Sequence, residues 1–319
     1  MIRSSFGFAS TTQDVTAGVD AGGLRVVVTG GAAGLGAETA RALAAIGADV
    51  TLAVRSLDAG RRAAERISQS TRNPGVRAAY VDLAERSSIA RFASDWTGPL
   101  HVLINNAGGI IPELQRTPDG WEMQFAVNHL GHFELARRLR PALAAGAAGR
   151  REARIVTLTS SGHMYSPVVF DDLHFAYRGY TDALGYGQAK TANVLFGVGA
   201  TRRWAHDGIF ANAAMPGPTL TGFQRNMDPE RLRARIGNAD IDGGEVPAGF
   251  KSIQQGAATT VFLAVSPVVS GVGGRYFENC NEAAVVPDNN GYASGVAPYA
   301  LDEANADRLW QVSEHLLDR

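Results

Sequence analysis

The sequence predicts an α/β protein built on a doubly wound parallel sheet with helices on both faces. Three observations carry this. Residues 24–28 are an apolar, β-branched run of the kind found in buried parallel strands. That run enters a turn containing Gly30, Gly34 and Gly36, and residues 37–46 follow as a helical pattern stopped at Gly47. Further apolar runs then alternate with helical stretches, the rhythm of a parallel sheet with right-handed crossovers. With 319 residues and 45% hydrophobic content, the chain can bury one large core.

Taken in order, residues 1–23 are polar and glycine-containing and read as an N-terminal extension lying on the surface. A single domain is expected over 24–319. Residues 49–54 form the second strand, followed at once by Arg55, and 58–70 form a helix for which Asp58 is the natural N-cap. A third strand over 76–81 leads into Asp82 and Leu83, and 87–96 are helical. The fourth strand, 100–104, runs into Asn105-Asn106-Ala107-Gly108. Residues 121–143 read as one long helix limited by Pro141, with Asn128 inside it, where a self-bonding polar side chain is mildly unfavourable. The fifth strand, 153–158, ends in Thr159-Ser160-Ser161, and 162–184 are loop-like. A helix over 187–206 precedes the sixth strand, 209–215, which ends at Pro216-Gly217-Pro218. An insertion over 219–251 includes a helix start at Asp228-Pro229, and its stretch 222–250 mixes charge with Phe223, Met227, Leu232 and Ile236, as a substrate lid would. The chain closes with a helix over 252–265, a last strand over 274–277, a loop over 279–300, and a helix over 301–317 packed through Leu309, Trp310, Val312 and Leu316.

Composition excludes several function classes. A net charge of -1 leaves no electrostatic footprint for nucleic acid. Cys280 is the single cysteine, so neither an internal disulfide nor a cysteine-built zinc site is available, and it reads as an inert packing residue. His129, His132 and His163 lack the carboxylates or thiolates of a ligand set and read as structural, so no metal is expected. No run is long enough to span a membrane and the N-terminus has no signal-peptide core, which predicts a cytoplasmic protein.

In open parallel sheets, ligands bind beyond the C-terminal ends of the strands. The glycine turn, Arg55, Asp82, Asn105–Gly108, Ser160 and residues 216–221 all follow strand ends, so they should line one crevice. Glycines at a strand-to-helix turn let backbone amides and a helix N-terminus approach a phosphate. Tyr186 and Lys190 stand four apart at the start of a helix and share a face. Chance alone would supply roughly 0.05 such pairs, given how few tyrosines and lysines the chain has. A nearby cation lowers a phenol's pKa by ~1–3 units, toward a general acid/base. Only Lys190 and Lys251 are lysine in a chain whose other basic residues are arginine.

Together, Thr29-Gly30-x-x-x-Gly34-x-Gly36, Asn105-Asn106-Ala107-Gly108, Ser160, Tyr186-x-x-x-Lys190, and Pro216-Gly217 with Thr221 resemble the short-chain dehydrogenase/reductase family with its Rossmann-type fold. The match runs from about residue 24 to 265. The wording VNHLGHF around Asn128, Ser160-x-x-His163 and the C-terminal Leu309-Trp310 are similar to the retinol-dehydrogenase-like branch. The resemblance implies hydride transfer between a nicotinamide cofactor and a carbonyl or alcohol. Tyr186 would exchange the proton, Ser160 would hydrogen-bond the substrate oxygen, Lys190 would hold the nicotinamide ribose, and Asn128 would hold a water leading to Lys190. Aligning the strand end with the family pattern selects Ser160, leaving Ser161 a loop role.

Gly30, Ala33, Gly34, Leu35, Gly36, Asp82, Leu83, Asn106, Ala107, Gly108, Pro216, Gly217, Thr219 and Thr221 would line the cofactor cleft with Tyr186 and Lys190. Arg55 follows the second strand where NAD-selective sites usually offer a carboxylate, which predicts NADP(H), with NAD(H) as the alternative. Asp58 is the rival acidic group. The resemblance implies a homodimer or homotetramer. A cofactor-binding sensor without catalysis is the reading from another class, and it would have no need of Tyr186.

Overall fold

β1 (Arg25–Thr29) is an interior strand, third from one edge, of an eight-stranded sheet in the order β3-β2-β1-β4-β5-β6-β7-β8 among the described residues. The computed structural model of the protein describes residues 1–150, 152–221, 230, 246–287 and 294–318. The other strands are β2 (Asp49–Val54), β3 (Val76–Tyr80), β4 (Val102–Asn105), β5 (Ala153–Leu158), β6 (Ile209–Met215), β7 (Tyr276–Glu278) and β8 (Asn281–Glu282). Every pairing from β3 to β7 is parallel, and β8 returns antiparallel on β7. The strand order reverses between β1 and β4, which opens a crevice at their C-terminal ends. The predicted doubly wound sheet is therefore present.

Alternation along β1 explains why two cores form. Val26 and Val28 point into one apolar layer and Val27 into the other, as a period of two requires. The first layer lies under α2 (Gly34–Ala45), α3 (Leu57–Thr71) and α8 (Ile253–Val265). The second lies under α4 (Arg86–Asp95), α6 (Gly131–Arg150), α7 (Asp182–Trp204) and α9 (Glu303–Leu317).

Several expectations change. Residues 1–23 are tied into the domain. Their α1 (Thr12–Thr16) carries a Thr11–Asp14 capping box and buries Val15 in the first apolar layer. Ile2 and Ser4 bond to Glu282 and Asn281 of β8. Ser56, not Asp58, caps α3, because the serine hydroxyl reaches the Ala59 amide while Asp58 falls in the first turn.

The long helix predicted over 121–143 is a short α5 (Met123–Phe125), a π-helical segment (Ala126–Leu130) and α6, which continues through Pro141 to Arg150. Pro141 is exposed, so the missing backbone bond falls on the solvent side and the helix runs on. The loop predicted over 279–300 begins with β8, since Asn279 and Cys280 both adopt left-handed backbone (φ 51 and 59) and close a two-residue hairpin. No glycine signals that turn. Of the proposed lid 222–250, all but 230 and 246–250 lies outside the described residues.

The C-terminal helix α9 seals the second layer. Trp310 packs on Phe133 (4.7 Å between ring centroids) and Trp204 (5.1 Å), with Arg203 4.7 Å above its ring. Leu309 and Trp310 are buried as expected, joined by Ala306, Ser313 and Leu317, while Val312 and Leu316 lie at the margin. Trp310→Ala is expected to cost ~3–5 kcal/mol of unfolding free energy. Urea denaturation of the variant beside the wild type measures it.

Candidate active site

The site is assembled where β1, β4, β5 and β6 end. The hydroxyl of Thr29, the last residue of β1, accepts from the Asn106 and Ala107 amides, both at 2.9 Å. Asn106 returns its side-chain amide to the Thr29 carbonyl at 2.7 Å. The loop after β4 is thereby fastened to the glycine turn. Gly36 lies so close beneath it that a Cβ there would meet the Asn106 amide and the Gly30 carbonyl at 2.5 Å. Only glycine fits.

α2 begins at Gly34, and its N-cap Ala33 makes no side-chain bond to the first-turn amides. An uncapped helix start of this kind, directly after the strand, suits a phosphate. Thr221 closes over the turn, with its Cβ 3.4 Å from where a Gly34 Cβ would stand. Leu35 packs toward Gly256 and Thr219. Gly217 (φ 86) follows Pro216 after β6 and rests on the Lys251 side chain.

Asp82 turns inward on its own loop, where its carboxylate accepts the Ala84 amide at 2.9 Å. The Leu83 carbonyl packs against Gly131. Arg55 is exposed beyond β2 and has no hydrogen bond or ion pair among the described residues.

Two side chains, Asn128 and Lys190, converge on Gly108. A Cβ there would lie 2.2 Å from Asn128 Oδ1 and 3.6 Å from Lys190 Nζ. Asn128 belongs to the π-helical segment and brackets Gly109, accepting its amide at 3.1 Å and donating to its carbonyl at 3.2 Å. π-bulges are common at functional sites because they re-aim one side chain. Lys190, 4% exposed, donates to the Leu158 carbonyl at 3.1 Å and stands 5.5 Å from the Tyr186 ring centroid. The Ser160 hydroxyl and the Tyr186 ring flank Gly162 together, where a Cβ would meet them at 3.4 and 2.9 Å, and the Ser160 hydroxyl accepts the Gly162 amide at 3.1 Å. Ser161 instead opens the short 3-10 turn that follows.

The electrostatics reverse one expectation. Burial pushes the Tyr186 phenol up to about 12, with the Ser160 hydrogen bond pulling it part of the way back. Burial also lowers Lys190 to about 8. Desolvation outweighs the pull of a cation turned toward a carbonyl, so at neutral pH Tyr186 is a phenol and Lys190 is mostly charged.

The family model for short chain dehydrogenases matches residues 25–232. The chain belongs to the short-chain dehydrogenase/reductase family. It is 49% identical over 298 residues to a probable oxidoreductase of Streptomyces lividans, covering 92% of this chain and 97% of that one. Retinol dehydrogenase 12 of Mus musculus is 36% identical over 305 residues, covering 95% and 89%, which supports the retinol-dehydrogenase-like branch. A solved structure of a protein from Mycobacterium paratuberculosis superposes with a TM-score of 0.70 at 29% identity, covering 97% and 98%. This chain is thus an oxidoreductase of the family, and among its described residues no helix is long and apolar enough to cross a membrane.

Two of the histidines read as structural, His129 and His132, hold the elements of this region together. His132 Nδ1 faces the Asn128 carbonyl at 3.0 Å and its Nε2 faces the Thr29 hydroxyl at 2.9 Å. A carbonyl only accepts, so Nδ1 carries the proton and Nε2 receives the threonine hydrogen. His129 bonds Ser313 of α9 at 3.0 Å. Their spacing from Asn128 was the available signal.

Burial lowers His129 to about 3 and His132 to about 4, and the carbonyl bond to Asn128 opposes the second shift. Both stay neutral in the fold, whereas the unfolded chain takes up their protons near pH 6.5. Stability is therefore fully present above about pH 6.5 and is lost as pH falls from there toward about 4, on the order of 2 kcal/mol per histidine by pH 5. Urea unfolding at pH 7.5 and pH 5 checks this. His129→Gln should lose less stability than the wild type over that interval.

Proposed function

We propose that this chain transfers a hydride between NADP(H) and the carbonyl or alcohol carbon of a small-molecule substrate. The observation that carries the reading is the placement of Ser160 and Tyr186 together against Gly162, with Lys190 and Asn128 converging at Gly108. The cofactor's nicotinamide supplies the hydride for reduction and accepts it in oxidation. The uncapped α2 N-terminus and the Gly36 approach fit the cofactor's phosphates, which Gly30, Ala33, Gly34 and Leu35 would hold. Asn106, Ala107, Asp82 and Leu83 would border its adenosine side, and Pro216, Gly217, Thr219 and Thr221 its nicotinamide side.

Each side chain has a definable task. A neutral phenol is a proton donor, so Tyr186 protonates the substrate oxygen as the carbonyl is reduced. Ser160 donates a second hydrogen bond to that oxygen and holds it in place. A charged Lys190 stabilises the phenolate left behind and draws Tyr186 below its resting pKa at that moment. Asn128 keeps the Gly109 loop open over Lys190, leaving room for the water that returns the proton.

Arg55 supports NADP(H) over NAD(H). It is an exposed guanidinium with no partner among the described residues, placed beyond β2, where a 2′-phosphate would accept a bidentate contact. Asp58 lies within the first turn of α3, one residue into the helix.

Two measurements test the reading. Tyr186→Phe should reduce kcat ~100- to 10,000-fold while cofactor binding, followed by NADPH fluorescence, stays nearly intact. Arg55→Asp should cut the NADPH:NADH ratio of kcat/KM by roughly 10- to 150-fold, the equivalent of one charge-assisted contact. Equal use of the two cofactors by the wild type would remove Arg55 as the selector.

A further inference from the structure

His163 is 0% exposed and lies three residues beyond Ser160. Its Nδ1 faces the Ser160 carbonyl at 2.7 Å, and its Nε2 faces the Ala297 amide at 3.0 Å. The amide of Ala297 only donates and the carbonyl of Ser160 only accepts. The ring is therefore confined to one tautomer, with the proton on Nδ1 and a bare Nε2. The His163 backbone amide gives the Ser160 carbonyl a second bond at 3.0 Å.

The residue is held from three further sides. Thr191 of α7 and Tyr299 of the C-terminal segment donate to its carbonyl at 3.0 and 2.9 Å. Its ring rests 5.1 Å from that of Tyr276, at 48°. The neighbouring Gly162 packs on the Tyr186 ring, where a Cβ would come within 2.9 Å of Cε1. A shift of the Ser160 peptide would thus be felt directly at Tyr186.

We propose that His163 is a positioning residue for Ser160, in which Nδ1–H sets the Ser160 peptide and Nε2 locks that setting to the C-terminal segment at Ala297. The inference rests on the reading of Ser160 as the hydroxyl that holds the substrate oxygen. It differs from a simple core role in what each ring nitrogen does. Loss of the Nδ1 bond should be felt in catalysis, and loss of the Nε2 bond in the anchoring of the tail. The C-terminal segment, 134 residues away in sequence, then becomes part of what orients the serine.

Two amides separate the halves of the ring. In His163→Asn the side-chain amide takes the place of Nδ1 and keeps a donor for the Ser160 carbonyl. In His163→Gln it takes the place of Nε2, keeping an acceptor for Ala297 but leaving the Ser160 carbonyl without its side-chain donor. Steady-state kcat and KM for carbonyl reduction with NADPH, cofactor affinity by fluorescence, and melting temperature are measured for both. The same is done for Ser160→Ala and for Ser160→Ala combined with His163→Gln. The expected result is a kcat for His163→Gln lowered on the order of 10- to 100-fold at unchanged cofactor affinity, as misplacement by about 1 Å produces. His163→Asn should recover most of kcat despite a lower melting temperature. In the Ser160→Ala background, His163→Gln should cost no more than about 3-fold further, because the two act through one group.

Equal kcat losses in the two amide variants, or a full His163→Gln loss persisting without the Ser160 hydroxyl, would overturn the proposal. If Ser160→Ala itself keeps wild-type kcat, the fault lies in the assignment of Ser160. A collapse with Ser160→Ala that His163→Gln does not share places the fault in the role given to His163.

Discussion

One hydroxyl organises the centre of this structure. Thr29 Oγ1 receives two amides from the loop after β4 and passes its own hydrogen to His132, which in turn grips the Asn128 carbonyl. Strand β1, the loop after β4 and the π-helical segment are therefore pinned to a single buried atom. Such a network is stable only if each donor meets an acceptor, and here the neutral His132 tautomer completes it. Replacing the threonine by an apolar residue of similar shape would leave two amides and a histidine nitrogen in need of partners. The close approach of Asn128 and Lys190 to Gly108 depends on that junction.

Much of this was legible beforehand because it follows from chemistry local in sequence. Strand ends, the glycine turn and the i, i+4 pair Tyr186/Lys190 are each written within a few residues, so the parallel sheet and the convergence at its C-terminal edge could be read directly. What was illegible depends on contacts distant in sequence. The π-helical segment replaces a regular helix with no glycine or proline inside it, and the Gly131 that follows continues as α6. The β7–β8 hairpin uses Asn279 and Cys280 where a glycine signal was absent. Residues 1–23 look like a loose leader until β8 and α8 exist to receive them.

Charge tells a similar story. Sequence spacing gives the direction in which Tyr186 and Lys190 face, but it does not give their burial, and burial moves the phenol's pKa up and the ammonium's down. The phenol is kept neutral and the ammonium is held near the edge of its charged range. Both shifts favour the uncharged form of each group.

The second lysine follows the same logic. In a chain that otherwise uses arginine, Lys251 is 3% exposed, donates to Asn279 Oδ1 at 2.7 Å and lies 5.0 Å from the Phe8 ring. Burial lowers its pKa, while Cys280 and Glu278 oppose the shift. Its backbone pairs with Pro218, and its side chain supports Gly217. A compact ammonium on a flexible stem suits a buried point contact of this kind better than a rigid, forked guanidinium. Lys251 thereby joins the N-terminal segment, the loop after β6 and the β7–β8 hairpin at one point. The two ends of the chain, distant from Tyr186 and Lys190 in sequence, meet the cleft through Lys251 on one side and His163 on the other. The central strands set where the cleft opens, and these peripheral segments set how firmly its walls are held.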